Sequence, residues 1–210
     1  VKLNEQLTWP GAVYALQKEL NLAIHLGGLS ALEFHGLAQY IRFDAAKDRF
    51  DLFNTTKNKL PLPRWFLRNF PECRYVQHYL FQVEEGLELK SVDGVPIMVS
   101  TAERAILEIL SQVPNKFDYR HAFELVENLQ LLRPNKIQQL LEQCLSIKVK
   151  RLFLYLADAN QLPCFKKIDI RKIELGKGKR VIGQGGNYIP SYKLSVPSAP
   201  TDEEEGIDYV

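Results

Sequence analysis

The chain has 210 residues, a formal net charge of +2 and 46% hydrophobic residues, a composition typical of globular proteins. This length accommodates one large domain or two small ones. No apolar run reaches the roughly 18 residues that a membrane span needs, and the start VKLNEQLTWPG lacks the apolar centre of a secretory signal. The three cysteines are far apart, so we expect a reducing, cytoplasmic environment without a disulfide framework or a zinc knuckle.

Charge is distributed unevenly along the sequence. Residues 1–147 carry sixteen Lys/Arg and seventeen Asp/Glu, whereas residues 148–180 carry ten Lys/Arg and three Asp/Glu. The final stretch TDEEEGIDYV carries five acids and no cation, and we expect residues 199–210 to form an acidic, disordered tail. A local positive field of this kind indicates a polyanionic or acidic partner, unless surface charge is simply uneven.

The first half of the chain mixes helix and strand signals. The segment PGAVYALQKELN has the spacing of an amphipathic helix. In LSALEFHGL, Ser30 and Glu33 have capping-box spacing and Gly36 is a plausible helix end. The following segments predict, in order, two strands around the turn DAAKD, a short helix and a half-buried strand: AQYIRFD, RFDLFNT, PLPRWFLRNF and CRYVQHYLF.

The second half contains a hairpin, a helical block and a short β segment. Asp93-Gly94 lies between two alternating runs and predicts a hairpin. Ser100 and Glu103 predict the start of a helix, Asp118 caps a second, and Pro134 opens a third. After Pro163, the alternating runs KKIDIRKIEL and YKLSVP predict a small sheet or a long hairpin.

These elements predict an α+β fold with a mixed N-terminal half, a helical block at about 101–160 and a short C-terminal β segment. We expect one body over residues 1–198, with sub-lobes at 1–99 and 100–198.

A fourth helix over residues 145–157 combines cations with an apolar surround. One face carries Leu145, Val149, Leu152, Phe153 and Leu156, and Ile147 and Leu154 lie roughly opposite. A helix that is apolar on two sides is largely buried, and three cations within four residues argue against membrane insertion. We therefore predict a core helix with an exposed basic and aromatic ridge. The alternative is a solvated face whose long side chains lie along the surface.

The glycine-rich segment LGKGKRVIGQGGNYIP does not fit a nucleotide-binding loop. Ile173 stands where a P-loop needs its first glycine, Arg180 replaces the hydroxyl residue, and Val181 breaks the dinucleotide pattern. The glycines therefore predict turns or bulges. We expect the cations of this segment to join those of the fourth helix in one exposed nucleic-acid or partner surface, formed by Lys148, Lys150, Arg151, Tyr155, Lys177, Lys179 and Arg180.

No catalytic or metal-binding pattern is evident among the titratable residues. The four histidines, His25, His35, His78 and His121, have no zinc-ligand spacing. Arg104 and Glu108 have the spacing of a pair on a helix surface, and Glu103 fits a cap. Glu88 and Lys90 match weakly the acid-x-Lys triplet of metal-dependent nucleases. We predict no enzyme, metal or cofactor, and keep a metal-dependent nuclease and a scaffold without nucleic-acid binding as alternatives.

Four segments resemble the AbiEi antitoxins of type IV toxin–antitoxin systems, which act in abortive infection of bacteria by phage. They are WPGAVYALQKELNLAIHLGGLSALEFHGLAQYIRF, VSTAERAILEIL, LLRPNKIQQLLEQCLSIKVKRLFLYLAD and IELGKGKRVIGQGGNYIPSYKLSVP. They cover nearly all of residues 9–197, and the block KVKRLFL is the most specific part.

The resemblance implies a cytoplasmic antitoxin and transcriptional regulator that opposes a nucleotidyltransferase-like toxin without a stable complex. Family members usually begin with a winged helix-turn-helix domain that binds their operon promoter. The chain starts where that domain would end, so we expect the domain to be missing. The basic surface would then either assist promoter DNA binding or compete for the RNA target of the toxin.

Overall fold

The computed structural model describes residues 7–38, 49–82, 84–183 and 186–197. The first half contains these elements: α1 (Trp9–Tyr14), a π-helical turn (Ala15–Glu19), β1 (Ile24–Leu26), α2 (Gly28–Phe34), β2 (Asp51–Asn54), α3 (Arg64–Asn69), β3 (Arg74–Val76), β4 (Leu87–Val92) and β5 (Val95–Ser100). The second half contains α4 (Ala102–Gln112), α5 (Tyr119–Glu127), α6 (Pro134–Gln143), α7 (Ile147–Ala159), β6 (Arg180–Val181), β7 (Asn187–Ile189) and β8 (Leu194–Val196), with 3-10 turns at Phe165–Lys167, Ile170–Lys172 and Pro190–Tyr192. The α+β prediction is confirmed.

A five-stranded mixed sheet organises the first half, in the order β3-β2-β1-β5-β4. Strand β1 is antiparallel to β2 and parallel to β5. Strands β4 and β5 form the predicted hairpin, with all six residue pairs in register. Asp93 and Gly94 both have positive φ values, 50° and 82°, as a type I′ turn requires.

Helix α4 lies at the centre of the core. Nine of its residues are buried, and it packs against α2, β5, α6 and α7. A second, three-stranded sheet in the order β6-β8-β7 lies at the C-terminal end of the described chain. A single apolar cluster extends from Ala12 to Val196, so the helices join both sheets to one core.

Several predicted helix ends are confirmed. The Asp118 carboxylate accepts hydrogen bonds from the amides of Arg120 and His121, and Pro134 opens α6. The Thr101 hydroxyl, one residue after the predicted Ser100, caps α4. The predicted capping box at Ser30 is wrong: Ser30 lies inside α2, because that helix begins at Gly28.

Two predicted β segments differ from the structure or lie outside it. The alternating run after Pro163 forms two 3-10 turns, and the side chain of Asp169 accepts the amide of Arg171 at the second turn. Local side-chain bonds of this kind compete with strand pairing. Most of the predicted strand AQYIRFD, the turn DAAKD and the tail 199–210 lie outside the described residues. The division into sub-lobes stays a prediction.

Helix α4 carries a buried polar network, although the sequence predicted its Arg104–Glu108 pair on the helix surface. Arg104 and Glu108 pair as predicted, Nε to Oε1 at 3.0 Å, but each residue is only 2% exposed. Glu108 also binds His25 Nε2 at 2.7 Å, the Ser100 hydroxyl at 2.9 Å and the Gly28 amide at 3.0 Å. One carboxylate therefore joins β1, α2, β5 and α4.

The charges of this network stabilise one another. Burial alone would raise the pKa of Glu108, but His25, Arg104 and the hydrogen bonds lower it to about 2. Burial lowers the pKa of His25, Glu108 opposes this shift, and the ring donates its Nε2 proton to the Glu108 carboxylate. Glu103 is not a cap partner: both of its oxygens bind the Arg133 guanidinium, at 2.9 and 2.8 Å. These side chains support the fold, since each is already fixed by neighbours within the core.

Candidate nucleic-acid interface

Helix α7 holds the first group of predicted site residues. The Ser146 hydroxyl accepts the Val149 amide at 3.3 Å and so caps the helix. Val149, Leu152, Phe153, Leu154 and Leu156 are all 0% exposed, which agrees with a helix buried on two sides. The prediction is wrong for Leu145, which is 45% exposed and precedes the helix. Little of the helix surface is therefore left in contact with solvent for its cations.

Lys148 reaches the end of helix α4. Its ammonium donates to the carbonyl oxygens of Val113 at 2.6 Å and Ser111 at 3.4 Å. The last carbonyls of a helix lack partners within the helix and carry partial negative charge. Burial lowers the pKa of Lys148. This half-buried cation thus caps α4 and joins it to α7.

Lys150 and Arg151 are buried, so the prediction that both lie in one exposed surface is wrong. Lys150 is 4% exposed and its ammonium donates to the Glu174 carbonyl at 3.2 Å. Arg151 is 1% exposed. Its guanidinium donates to the carbonyl oxygens of Leu175 at 2.5 and 2.8 Å, Gly176 at 3.0 Å, Gly178 at 2.7 Å and Lys193 at 3.0 Å.

The reason for this difference is the chemistry of the glycine-rich segment. That segment turns back over α7 with backbone carbonyls pointing inward, and buried carbonyls need donors. A guanidinium offers five donors in a fixed plane, so Arg151 satisfies several carbonyls at once. The two cations hold the C-terminal segment on α7 and are not available to a phosphate.

Tyr155 is also a packing residue. Its ring lies edge-on to Tyr192, with centroids 6.2 Å apart. The Tyr192 hydroxyl donates to the Asp158 carboxylate at 2.9 Å. Tyr155 is half-buried, and the contact with Tyr192 brings it beside the 3-10 turn that precedes β8.

Two glycines shape the C-terminal segment. Gly176 has φ +62°, and a Cβ there would lie 3.3 Å from the side chain of Ile147 on α7. Gly186 has φ +105°, and a Cβ there would lie 1.9 Å from the Val196 carbonyl. Both glycines have φ values that strain other residues, and at Gly186 a Cβ also has no space. That these glycines form turns or bulges stays a prediction.

Lys177, Lys179 and Arg180 are exposed, as predicted. The Lys179 ammonium lies 4.7 Å from the centre of the Tyr188 ring. The Arg180 amide donates to the Lys193 carbonyl at 3.0 Å, which places Lys193 beside Arg180. We call these five residues the C-terminal basic surface: Lys177, Lys179, Arg180, Tyr188 and Lys193.

Tyr188 and Lys193 were missed in the sequence. Strand β8 pairs Ser195 with both Val181 and Tyr188, so these three residues share one face of the small sheet. Val181 is 61% and Tyr188 41% exposed. The sequence signal was the aromatic residue within the glycine-rich run, but its position opposite Lys179 depends on the strand pairing.

Neither a metal-binding group nor a membrane-spanning helix is found in the described part of the chain. Within residues 7–38, 49–82, 84–183 and 186–197, no group of three or more His, Cys, Asp or Glu could hold a metal ion. In the same ranges, no helix has both the length and the apolar character to cross a membrane.

Comparison with known proteins assigns the chain to a class of regulators. A family model described as "Transcriptional regulator, AbiEi antitoxin, Type IV TA system" matches residues 49–197. The chain therefore belongs to the AbiEi antitoxin family. The crystal structure of the RV2827C protein from Mycobacterium tuberculosis is similar in fold, with a TM-score of 0.58 and 13% identity over 90% of this chain and 68% of that chain. No curated protein matches the sequence.

The prediction that the N-terminal domain is missing is wrong. A second family model, described as the AbiEi antitoxin N-terminal domain, matches residues 1–43. The described part of that range contains α1, the π-helical turn, β1 and α2. Strand β1 lies in the middle of the five-stranded sheet, so this region is continuous with the rest of the core.

Proposed function

We propose that this chain is the antitoxin of a type IV system that counteracts a nucleotidyltransferase-like toxin, and that its C-terminal basic surface contacts nucleic-acid phosphates. One observation carries the proposal. Lys177, Lys179 and Arg180 are exposed, and within the described residues none of them lies in an ion pair with a carboxylate. The cations of α7, by contrast, are held by backbone carbonyls.

Phosphate binding suits this surface for physical reasons. Exposed cations that release counterions from a nucleic acid gain affinity without sequence recognition. Tyr188 adds an aromatic ring beside these cations, and aromatic rings stack on unpaired bases. The surface therefore fits either the RNA target of the toxin or promoter DNA, and neither role requires a stable antitoxin–toxin complex.

The test is toxin neutralisation by a charge-reversed antitoxin. Lys177→Glu with Lys179→Glu should restore growth inhibition when the variant is co-expressed with the toxin, and should weaken binding to labelled RNA and promoter DNA. The matched control is Lys18→Glu with Lys116→Glu, which changes net charge equally at two exposed lysines elsewhere. Survival of cells that carry the first variant, at the level of the control, contradicts the proposal.

The nuclease alternative lacks support from the residues that it needs. Both Glu103 oxygens bind Arg133, and Glu88 lies 3.3 Å from Lys90 Nζ. These carboxylates are neutralised by cations of the chain itself. A scaffold without nucleic-acid binding would show partner affinity that is independent of salt, which the binding measurements above detect.

A further inference from the structure

The segment between β2 and β3 carries a second group of exposed cations. From Leu52 to Pro71 there are four cations and no Asp or Glu. The cations Lys57, Lys59, Arg64 and Arg68 are all exposed. We call them, together with Trp65, the β2–α3 basic surface.

The two lysines lie on an ordered loop. The Asn54 side-chain amide donates to the carbonyls of Thr56 at 2.9 Å and Asn58 at 3.3 Å. The Thr56 hydroxyl donates to the same Asn58 carbonyl at 3.1 Å. These bonds fix the backbone on both sides of Lys57 and before Lys59, so both side chains project from a preorganised turn.

The end of the loop is attached to strand β3. The Tyr75 hydroxyl donates to the Leu60 carbonyl at 2.8 Å, and the Gln77 side chain accepts the Leu60 amide at 3.2 Å. From there the chain passes through Pro61 and Pro63, whose fixed φ angles limit its freedom. The end of the loop is therefore held against strand β3 at the edge of the five-stranded sheet.

Helix α3 presents the remaining cations on one side. Phe66 is fully buried and packs edge-on against Phe50, with centroids 6.3 Å apart. Arg64 and Arg68 are four residues apart and lie on the same side of the helix. Trp65, which is 39% exposed, lies next to Arg64. The inward Phe66 thus orients two arginines and an indole ring toward solvent.

Within the described residues, none of these four cations lies within salt-bridge distance of a carboxylate. Other exposed cations do have such partners, for example Arg120 with Glu124 and Arg171 with Asp169. The chain from Lys59 to Arg64 spans at most about 18 Å, a distance along which duplex DNA presents several phosphates.

We propose that the β2–α3 basic surface binds the phosphate backbone of duplex DNA. The occupant follows from charge complementarity and from the family to which the chain belongs, which is one of transcriptional regulators. The surface is separate in sequence from the C-terminal basic surface, so the two proposals stand independently.

The experiment measures the salt dependence of binding to a labelled duplex of about three helical turns. Substitution of all four cations by glutamine should lower the slope of log affinity against log salt by about 3.6, because each lost phosphate contact removes about 0.9. Lys57→Gln with Lys59→Gln should lower it by about 1.8. The matched control, Lys18→Gln with Lys116→Gln, should leave the slope near that of the unsubstituted protein.

A local readout comes from Trp65. The chain has two tryptophans, and Trp9→Phe leaves Trp65 as the single emitter. Its fluorescence should change as duplex is added, and this change should be lost in the Arg64→Gln and Arg68→Gln background. Thermal unfolding confirms that each variant folds.

Three results would overturn the proposal. The first is a slope for the four-site variant equal to that of the control. The second is Trp65 emission that is insensitive to the duplex. The third is a loss of binding to poly-glutamate with unchanged binding to DNA, which would make the surface a site for an acidic protein. Failure of the C-terminal variant Lys177→Glu with Lys179→Glu to affect binding bears only on the proposed function, because that variant leaves the β2–α3 basic surface intact.

Discussion

Arg151 on helix α7 is 1% exposed and donates hydrogen bonds to four backbone carbonyls, whereas Arg180 on strand β6 is exposed. Its guanidinium donates only to the adjacent Lys179 carbonyl, at 3.0 Å, among the bonds recorded in the described residues. The two arginines lie in the same basic region of the sequence, residues 148–180. The difference teaches that a local excess of cations in the sequence does not define an exposed basic surface. Backbone carbonyls of a packed segment can accept the hydrogen bonds of these side chains, which are then buried.

The largest effect is expected from Arg151→Met. This change keeps the apolar stem but removes the guanidinium donor from the carbonyls of Leu175, Gly176 and Gly178, while the Lys193 carbonyl keeps only the Arg180 amide. Since buried acceptors without donors are costly, we expect destabilisation of at least about 3 kcal/mol in urea unfolding. Arg180→Met is the control and should change stability by less than about 0.5 kcal/mol. Equal effects of the two variants would erase the contrast between the arginines.

Glu108→Gln should come next and should differ in its pH dependence. We expect a loss of about 3 kcal/mol at neutral pH, because Arg104 loses its buried partner. Glutamate titrates near 4.3 in an unfolded chain, and the pKa of Glu108 is lowered to about 2. Its contribution is therefore complete above the unfolded value and is lost as pH falls toward 2.

Urea midpoints at neutral and acidic pH test this difference. The stability gap between the native protein and Glu108→Gln should close at low pH. The gap between the native protein and Arg151→Met should persist, because Arg151 has carbonyl partners that do not titrate. A gap for Glu108→Gln that is constant with pH would show that the carboxylate charge is not what stabilises the network.

Lys148→Met should have a smaller effect, about 1 kcal/mol. The ammonium supplies donors to Ser111 and Val113 at the end of α4, and interactions of this kind contribute modestly. Lys166→Met, at an exposed lysine, provides the comparison in thermal unfolding. If Lys148→Met is as stable as Lys166→Met, Lys148 behaves as a surface cation and belongs with Arg180.

The smallest effect on stability is expected from Lys179→Gln. The contact of Lys179 with the Tyr188 ring is exposed and is worth about 0.5 kcal/mol. The same change should lower the salt slope of nucleic-acid binding by about 0.9 if the ammonium contacts one phosphate. An altered melting temperature with an unchanged salt slope would contradict this assignment, because Lys179 would then stabilise the fold, as the cations of α7 do, and would not bind phosphate.

The sequence predicted those parts of the fold that depend on neighbours along the chain. Asp93-Gly94 specifies a type I′ turn through its own φ angles, and Asp118 and Pro134 specify helix starts through the first turn of backbone. Helix α7 was also predicted, because its apolar spacing is local. The start of α2 was missed, since it depends on Gly27: a Cβ there would lie 2.5 Å from the Glu108 carboxylate, far away in sequence.

The candidate site was predictable only in part. Lys177 and Lys179 each follow a glycine in a polar segment that is expected at the surface, Arg180 comes directly after Lys179, and the exposure of all three agrees with that position. The fate of Lys150 and Arg151 depends on carbonyls 24 to 42 residues later in the chain. No periodicity within α7 distinguishes a cation that faces solvent from one that faces another segment of backbone.

The hydrogen bonds of Arg151 also decide how this protein can be divided experimentally. A fragment that stops before Leu175 would keep the Arg151 guanidinium among apolar side chains. It would lose every carbonyl oxygen that accepts a hydrogen bond from this guanidinium. Such a truncation would report misfolding and not the loss of an effector arm. Point substitutions in the C-terminal basic surface are therefore needed to distinguish residues that act from residues that hold the fold. Deletions across the C-terminal third would confuse the two.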